Sequence, residues 1–166
     1  MQHSNDFYFE HDSEKVADSE LVDLLTGAYV SGGFTSPETA TSLFAPEAIR
    51  SRRKMFFART QTENSLAGMV IVVLPHFPAR RIAELDEAEL HLLAVAPLHH
   101  GRGLGRALID SALGSIHAQG FRKTILWTQP SMVVAQRLYE RAGFARAVTR
   151  DPTMDGIAFL AYEKSW

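Results

Sequence analysis

Apolar residues recur along this chain with periods typical of both strands and helices. An unbroken apolar run over residues 69–74 predicts a central strand buried on both faces, in a hairpin with a strand over 55–60. A second pattern, with one apolar residue in every four, predicts a helix that turns one stripe toward the core: Leu104, Leu108, Ala112 and Ile116. The mixture of the two periods indicates an α/β fold.

Local signals predict the remaining elements. Further strands are predicted over four segments: 7–9, 89–96, 124–128 and 157–162. A long loop is expected over 75–87. Helix starts are predicted at three places: Asp18 or Ser19 as the cap of a helix to about Val30, Ser36 with Pro37, and Pro46. These elements together predict a mixed sheet with helices on both faces.

The strand over 89–96 runs into a loop in which Gly101, Gly103 and Gly105 occupy every second position, and the loop runs into a helix. Glycine leaves the backbone N–H groups unobstructed and permits positive φ angles. The helix N-terminus adds unpaired N–H donors and the positive end of its dipole. Together these features predict a binding site for a phosphate or pyrophosphate.

Two common phosphate-binding motifs do not fit this loop. A Walker loop needs a lysine and a hydroxyl residue after its last glycine, whereas Arg106 and Ala107 stand there. A dinucleotide fingerprint needs G-x-G-x-x-G and an acidic residue about 20 positions later. The spacing here is G-x-G-x-G, and residues 120–123 contain no acid. On this motif alone, a glycine-rich connector is an open alternative.

A second motif follows the strand over 124–128. It places five residues at fixed spacing on and after a helix: Ala135, Leu138, Tyr139, Gly143 and Phe144. With the glycine loop, this segment resembles the GNAT N-acetyltransferase superfamily, whose coenzyme A loop has the form Q/R-x-x-G-x-G/A and whose later helix has the form N-x-x-A-x-x-L-Y-x-x-x-G-F. His100 stands where Gln or Arg is usual, and Met132 stands where Asn is usual. The two motifs cover about residues 89–144.

The resemblance implies a single domain over residues 1–166, with a mixed, mostly antiparallel sheet of six or seven strands. Helices cover both faces, and the sheet is splayed between its central strands. It also implies acetyl-CoA as co-substrate and transfer of its acetyl group to a primary amine of a small molecule or peptide, by direct attack in a ternary complex. The alternative is a catalytically weak coenzyme A-binding sensor or protein-interaction module on the same fold, which the departures at His100 and Met132 favour.

In this superfamily the pantetheine arm pairs with the strand before the loop, as if it added a strand to an edge. The resemblance therefore assigns eleven residues to coenzyme A: Leu93, Ala94, Val95, His100, Gly101, Arg102, Gly103, Leu104, Gly105, Arg106 and Met132. Leu93 and Val95 would supply backbone groups. Arg102 and Arg106 would add charge at the pyrophosphate, although solvated positions at the helix end are an equal alternative for both.

The resemblance makes Tyr139 the general acid that protonates or hydrogen-bonds the departing thiolate. The alternative is a core tyrosine whose hydroxyl bonds to the backbone. Glu89 and His91 are the candidate bases, since strand alternation puts both on one face and Leu90 and Leu92 on the other. Glu89 matches the family's glutamate base and ranks slightly ahead, while the ordinary pKa of His91 lies closer to neutral pH. For either residue, a surface position at the strand entrance is the alternative.

The acceptor pocket is expected near the end of the first helix, where Tyr29 and Phe34 would form an apolar wall. Ordinary core packing explains both residues equally well. The densest basic run, residues 50–54, is interpreted as a solvated helix end.

Composition narrows the classes of function. The 166 residues have a net charge of −2 and no basic stripe, which argues against nucleic-acid binding. No apolar run approaches the length of a membrane span, so no membrane association is predicted and we expect a cytoplasmic protein. No histidine spacing suggests a metal site. The chain has no cysteine, which excludes a cysteinyl acyl-enzyme. Whether it forms a homodimer is left open.

Overall fold

The computed structural model describes residues 6–52 and 54–166. Its strands there are β1 (Phe7–Glu10), β2 (Lys54–Thr60), β3 (Leu66–Val73), β4 (Glu87–Val95), β5 (Lys123–Thr128), β6 (Ala145–Arg146), β7 (Thr153–Met154), β8 (Ile157–Ala158) and β9 (Leu160–Ser165). Seven of them form one sheet in the order β1-β2-β3-β4-β5-β9-β6, and β7 pairs with β8 in a separate ribbon. In the large sheet only β4 and β5 run parallel. The predicted mixed, mostly antiparallel sheet is confirmed.

Helices cover both faces of the sheet. They are α1 (Asp18–Leu25), α2 (Pro37–Leu43), α3 (Pro46–Arg50), α4 (Leu104–Ala118) and α5 (Val133–Arg141). The chain leaves α1 through a wider π-helical segment (Thr26–Val30). Within the described residues, no helix is both long enough and apolar enough to span a membrane.

The sheet separates two apolar cores, and β3 contributes to both. Its Val70 and Val72 face the core beneath α4. The predicted stripe of four apolar residues on α4 is buried in this same core. Its Met69 and Ile71 face the second core beneath α1. Because alternate residues of a strand point to opposite faces, an apolar run is what a strand between two cores requires. The prediction of a central strand at 69–74 is confirmed.

The sheet opens between β4 and β5. The two strands pair only from Glu87 with Lys123 to Leu90 with Leu126. Beyond that point β4 continues alongside β3, whereas β5 continues alongside β9. The carboxyl-terminal halves of the two strands therefore diverge, as the resemblance predicted.

Two local predictions need correction. The residue that caps α1 is Ala17, and Glu20 satisfies its backbone N–H at 2.9 Å, so Asp18 is the first helical residue. The final strand predicted over 157–162 is interrupted, because Ile157 and Ala158 pair with β7 instead of joining the large sheet. Alternation of apolar residues marks extended backbone, but it does not say which neighbour an extended segment will pair with.

Candidate active site

The divergence of β4 and β5 opens a cleft of about 570 Å³. All the residues predicted to contact coenzyme A except Arg102 line it, as do Tyr29 and Phe34. Sequence reasoning did not assign the rest of the lining to this site: Ala28, His99, Ser131, Val133, Val134, Ala135, Leu138 and Arg141. Most of these residues belong to α5 or to the segment just before it. The motif predicted a helix there, but it did not indicate which side of that helix faces the cleft.

The glycine loop ends in a helix start with free donors. Gly101 and Gly103 have φ angles of 74° and 77°, and a Cβ on either would meet nothing within 4 Å, so both face open space. Gly103 is the N-cap of α4; no side chain caps this end, and its first turn contains no acidic residue. The N–H groups of the first turn are therefore available to an anion.

The polar side chains of the loop are not arranged as the motif suggested. His100 Nε2 lies 2.9 Å from the carbonyl oxygen of Val95, at the edge of β4. Arg102 forms an ion pair with Asp6, and its guanidinium lies 4.8 Å from the ring centroid of Phe7, outside the cleft lining. Arg102 is therefore held against β1.

Arg106 lies at the cleft, but partners on two helices already hold its guanidinium. It donates to Asp110 at 2.9 Å and to the Arg141 carbonyl at 2.7 Å. Arg106 remains exposed, as the alternative of a solvated helix end expects, whereas Arg102 is partly buried against β1.

A β-bulge lies at the mouth of the cleft. The register between β3 and β4 advances by two residues on β3 and by three on β4, from Ile71 with His91 to Met69 with Ala94. Leu92 adopts a φ of 48°, a conformation rare for a branched residue. Neither Leu92 nor Leu93 has a register partner on β3, so their backbone groups are turned out of the ladder.

The bulge corrects the predicted faces of β4. Leu92 packs with the core beneath α1, on the same side as Glu89 and His91, whereas Leu93 packs with Leu90 in the core beneath α4. One extra residue reverses the alternation of every residue that follows it. Nothing in the apolar pattern of this segment marked the reversal.

Tyr29 reaches the same strand edge. Its hydroxyl donates to the Leu93 carbonyl at 2.9 Å, across 64 residues of sequence. Burial raises the pKa of Tyr29, and the neighbouring Tyr139 hydroxyl raises it further. Tyr29 therefore links the π-helical segment to β4 at the bulge.

Tyr139 is buried, with 8% of its surface exposed, and its ring packs edge-on to Phe144 at 6.1 Å. Burial raises the pKa of its hydroxyl, so the proton stays bound at neutral pH. Within residues 6–52 and 54–166 this hydroxyl has no hydrogen-bond partner. The alternative of a core tyrosine satisfied by the backbone therefore fails for the described part of the chain.

Glu89 and His91 form a buried pair. Glu89 Oε2 lies 2.6 Å from His91 Nε2, and the two residues are 0% and 4% exposed. Glu89 also accepts hydrogen bonds from the backbone N–H groups of Arg81, Ile82 and Ala83. Neither residue is at the surface, so that alternative is wrong for both.

The pair has one consistent protonation pattern. Burial alone raises the pKa of Glu89, but the hydrogen bonds from His91 and the loop amides outweigh it, and the pKa lies below its usual value. Burial lowers the pKa of His91, and Arg52 and Arg81 add to the lowering against the opposing effect of Glu89. An ionised Glu89 therefore accepts from Nε2–H of a neutral His91, whose Nδ1 carries the lone pair.

The surroundings of His91 contain residues that sequence reasoning missed. Arg52 Nη1 lies 3.3 Å from His91 Nδ1, and Trp127 packs edge-on to the imidazole at 4.6 Å. The basic run at 50–54 is therefore not a solvated helix end. Arg50 forms an ion pair with Asp18, Arg52 turns inward, and Arg53 lies outside the described residues.

One acidic group has the spacing of a cation site. Among the described residues, Glu84, Asp86 and Glu87 bring ligand atoms within 4.8 Å of one another. Glu87 is already engaged, since it lies 2.8 Å from Arg150 and 3.4 Å from Lys123. Glu84 and Asp86 lie in the loop before β4, and Glu87 is the first residue of that strand. The ion pairs of Glu87 therefore hold the start of β4 in place.

Comparison with known proteins agrees with this geometry. A family model described as the Acetyltransferase (GNAT) family matches residues 19–144. Mycothiol acetyltransferase from Beutenbergia cavernae is 38% identical over 64 residues, which cover 39% of this chain and 22% of that protein. The ribosomal protein bS18-alanine N-acetyltransferase of Escherichia coli is 39% identical over 75 residues, which cover 43% of this chain and 51% of that protein. The chain thus spans well under two thirds of either relative.

Solved structures share the fold over almost the whole chain. A Bacillus subtilis acetyltransferase in complex with CoA matches with a TM-score of 0.65 and 17% sequence identity, covering 96% of this chain and 99% of that one. Because the family model spans most of the sequence and the fold agrees throughout, this chain belongs to the acetyltransferase (GNAT) family.

Proposed function

We propose that this protein is an N-acetyltransferase that moves the acetyl group of acetyl-CoA to a primary amine by direct attack in a ternary complex. One observation carries the proposal: the phosphate cradle and the open edge of β4 lie in the same cleft. Tyr139, Glu89 and His91 do not line this cleft; Tyr139 belongs to the core against which Leu93 and Val95 pack, and the Glu89–His91 pair lies on β4 just before the bulge. A phosphate site alone would fit many ligands. A phosphate site continuous with an unpaired strand edge fits a diphosphate that carries an amide-containing arm.

Coenzyme A would be held mainly by backbone. The first turn of α4 and the loop at Gly101 and Gly103 offer N–H groups to the pyrophosphate. The edge of β4 at Leu93 and Val95 offers groups to the pantetheine amides. The carbonyls of both strand residues already accept bonds, from Tyr29 and His100, so His100 would have to release Val95 as the arm docks.

The acceptor amine must lose its proton before it attacks. At pH 7 this costs roughly 4–5 kcal/mol for a lysine-like amine but only about 1 kcal/mol for an α-amine. His91 is suited to receive the proton, because burial and the two arginines keep it neutral, and its bond to Glu89 through Nε2 leaves the lone pair on Nδ1. The oxygens of Glu89 are filled by the loop amides and His91, which favours a positioning role for this carboxylate over that of the base.

The thioester would then react between the bulge and Tyr139. A backbone N–H near Leu93, turned out of the ladder, would polarise the carbonyl. The amine would add to the carbonyl carbon, and the C–S bond would break. Tyr139 would give its proton to the departing thiolate.

The experiment that tests this function is an initial-rate study of thiol release from acetyl-CoA with a panel of amines, amino acids and peptides. Direct transfer predicts release that depends on the acceptor, with lines that intersect when both substrates are varied. Parallel lines together with an acetylated protein seen by mass spectrometry would refute the ternary complex. Tight acetyl-CoA binding without release for any acceptor would instead favour the sensor.

Gly103→Glu is expected to weaken acetyl-CoA binding by roughly 30- to 700-fold. The substitution places a negative charge in the cradle, where repulsion from a phosphate a few ångströms away costs about 2–4 kcal/mol. Isothermal titration calorimetry measures the effect.

Gly120→Glu is the matched control for this change. Gly120 has a φ of 88° with nothing within 4 Å of a Cβ, and it does not line the cleft. This variant introduces the same charge and a similar backbone strain, and it should bind acetyl-CoA like the wild type. Equal affinities in both variants would place the pyrophosphate elsewhere.

A further inference from the structure

The guanidinium group of Arg52 lies beside His91 and has no ion-pair partner among the described residues. Arg52 is half-buried and touches His91 Nδ1 at 3.3 Å. Arg81, whose backbone N–H binds Glu89, is close enough that its charge lowers the pKa of both His91 and Arg52. Among the described residues neither arginine has a carboxylate within 4.0 Å.

This arrangement departs from how the chain treats its other inward-facing arginines. Arg59 lies between Glu10 and Glu20 at 2.6 and 2.7 Å, and Arg150 lies 2.8 Å from Glu87. A desolvated cation is costly unless it is paired. At Arg52 the contacting group is instead the neutral imidazole of His91, and the carboxylate of Glu89 lies on the other nitrogen of that imidazole, so no ion pair neutralises Arg52 among the described residues.

Arg52 lies next to the proposed base, with Nη1 3.3 Å from the imidazole nitrogen that carries the lone pair. An amine that gives its proton to His91 Nδ1 would therefore lie within a few ångströms of the Arg52 guanidinium. That separation matches the distance between the amine and the carboxylate of an amino acid.

We propose that Arg52 forms a subsite for a carboxylate of the acceptor, and that the acceptor is an amine of amino-acid size which carries that carboxylate. This assignment rests on the proposed acetyl transfer and deepens it. A carboxylate accepts two parallel hydrogen bonds from a guanidinium and is a stronger acceptor than a neutral imidazole. Its arrival draws Arg52 away from Nδ1 and leaves the lone pair of His91 free for the amine proton.

The test compares each standard amino acid with its own amide as acceptor. The pair differ in the carboxylate, and the less basic amine of the amide is easier to deprotonate, so acid–base chemistry alone favours the amide. For at least one amino acid the wild type is expected to show a higher kcat/KM than for the amide. Arg52→Gln should lower the ratio of the two kcat/KM values, acid to amide, by about 10- to 150-fold, mainly through the KM for the acid. The value for the amide is the internal reference, because Arg52 also lowers the pKa of His91 and its loss acts on both acceptors through that base.

Two further variants sharpen the result. Arg52→Lys keeps the charge and should retain part of the preference. Arg122→Gln removes an exposed arginine whose side chain has no hydrogen bond or ion pair among the described residues, and it should change neither value. A wild-type enzyme that prefers every amide, or an Arg52→Gln variant that keeps the full preference for the acid, would overturn the subsite.

Calorimetry separates failure of the subsite from failure of the proposed function. N-acetyl amino acids and their amides are titrated into the wild type and into Arg52→Gln, each with CoA present. Tighter binding of the acids to the wild type alone supports the subsite, even if no acceptor is acetylated and the proposed transfer is therefore wrong. Equal binding of acids and amides, alongside efficient transfer to amines, refutes the subsite and leaves the transfer intact.

Discussion

Replacing Tyr139 by phenylalanine is expected to lower kcat by roughly 10²–10⁴-fold while the affinity for acetyl-CoA changes little. The substitution removes only the hydroxyl, because the ring that packs against Phe144 and Tyr162 is kept. That hydroxyl has no partner among the described residues, and burial raises its pKa, so it carries a proton that it can give to the leaving thiolate. Steady-state rates with saturating acceptor, with calorimetry of acetyl-CoA, measure the two effects.

Tyr162→Phe is the control for this prediction. Tyr162 is buried in the same core, and its hydroxyl contacts Glu140 at 3.4 Å. It should keep kcat within a few-fold of the wild type. If Tyr139→Phe did the same, the thiolate would leave without a proton from this tyrosine.

Replacing His91 by alanine is expected to lower kcat/KM for the acceptor by roughly 10²–10⁴-fold. A base acts only when it is unprotonated, so activity is lost as pH falls through its pKa. Burial and the two neighbouring arginines lower the pKa of His91, so the acidic limb of the wild-type profile should lie below pH of about 6.5. The variant should lack that limb and regain part of its rate when imidazole is added.

His117→Ala is a suitable control, because His117 is exposed near the end of α4 and packs against Trp166. Its pH profile should match that of the wild type. A His91→Ala variant that retained the acidic limb would assign the titration, and with it the base, to another group.

The stability of a Glu89→Gln variant tests the role of the Glu89 carboxylate separately from that of His91. The amide nitrogen would face backbone N–H donors, at a cost of roughly 3 kcal/mol, which corresponds to a fall in Tm of roughly 6–12 °C. Because the folded pKa of Glu89 is lowered, its contribution to stability is present above the pKa of the unfolded state and is lost as pH falls through the folded value. The variant should therefore lose less stability than the wild type on acidification, as thermal melts at several pH values will measure.

The geometry of the glycine loop was predictable because its determinants are local. A glycine at a left-handed position and a helix that starts directly after it are both encoded within a few residues, and Gly101 and Gly103 have the expected geometry. The end of α5 is encoded in the same local way, since Gly143 has a φ of 91° directly after the helix and Phe144 beside it is buried. The central position of β3 followed from its unbroken apolar run.

The contacts of His91 and Tyr29 were not predictable, because they join distant segments of the chain. Arg52 meets His91 across 39 residues, and Tyr29 meets Leu93 across 64. The register of β2 and β3 with β4 decides which of these side chains meet, and one extra residue at Leu92 decides which face the following residues occupy. Neither feature leaves a periodic trace in the sequence.

The sequence by itself therefore determined the order of helices and strands, the glycine cradle and the residue types available for proton transfer, since each depends on neighbours along the chain. The tertiary structure alone decided that Glu89 is satisfied by a loop and holds His91, that His100 and Arg102 turn to other partners, and that Arg52 contacts His91. Charge, burial and hydrogen bonding at a site are sums over residues that only folding brings together, and they set the chemistry of the same side chains.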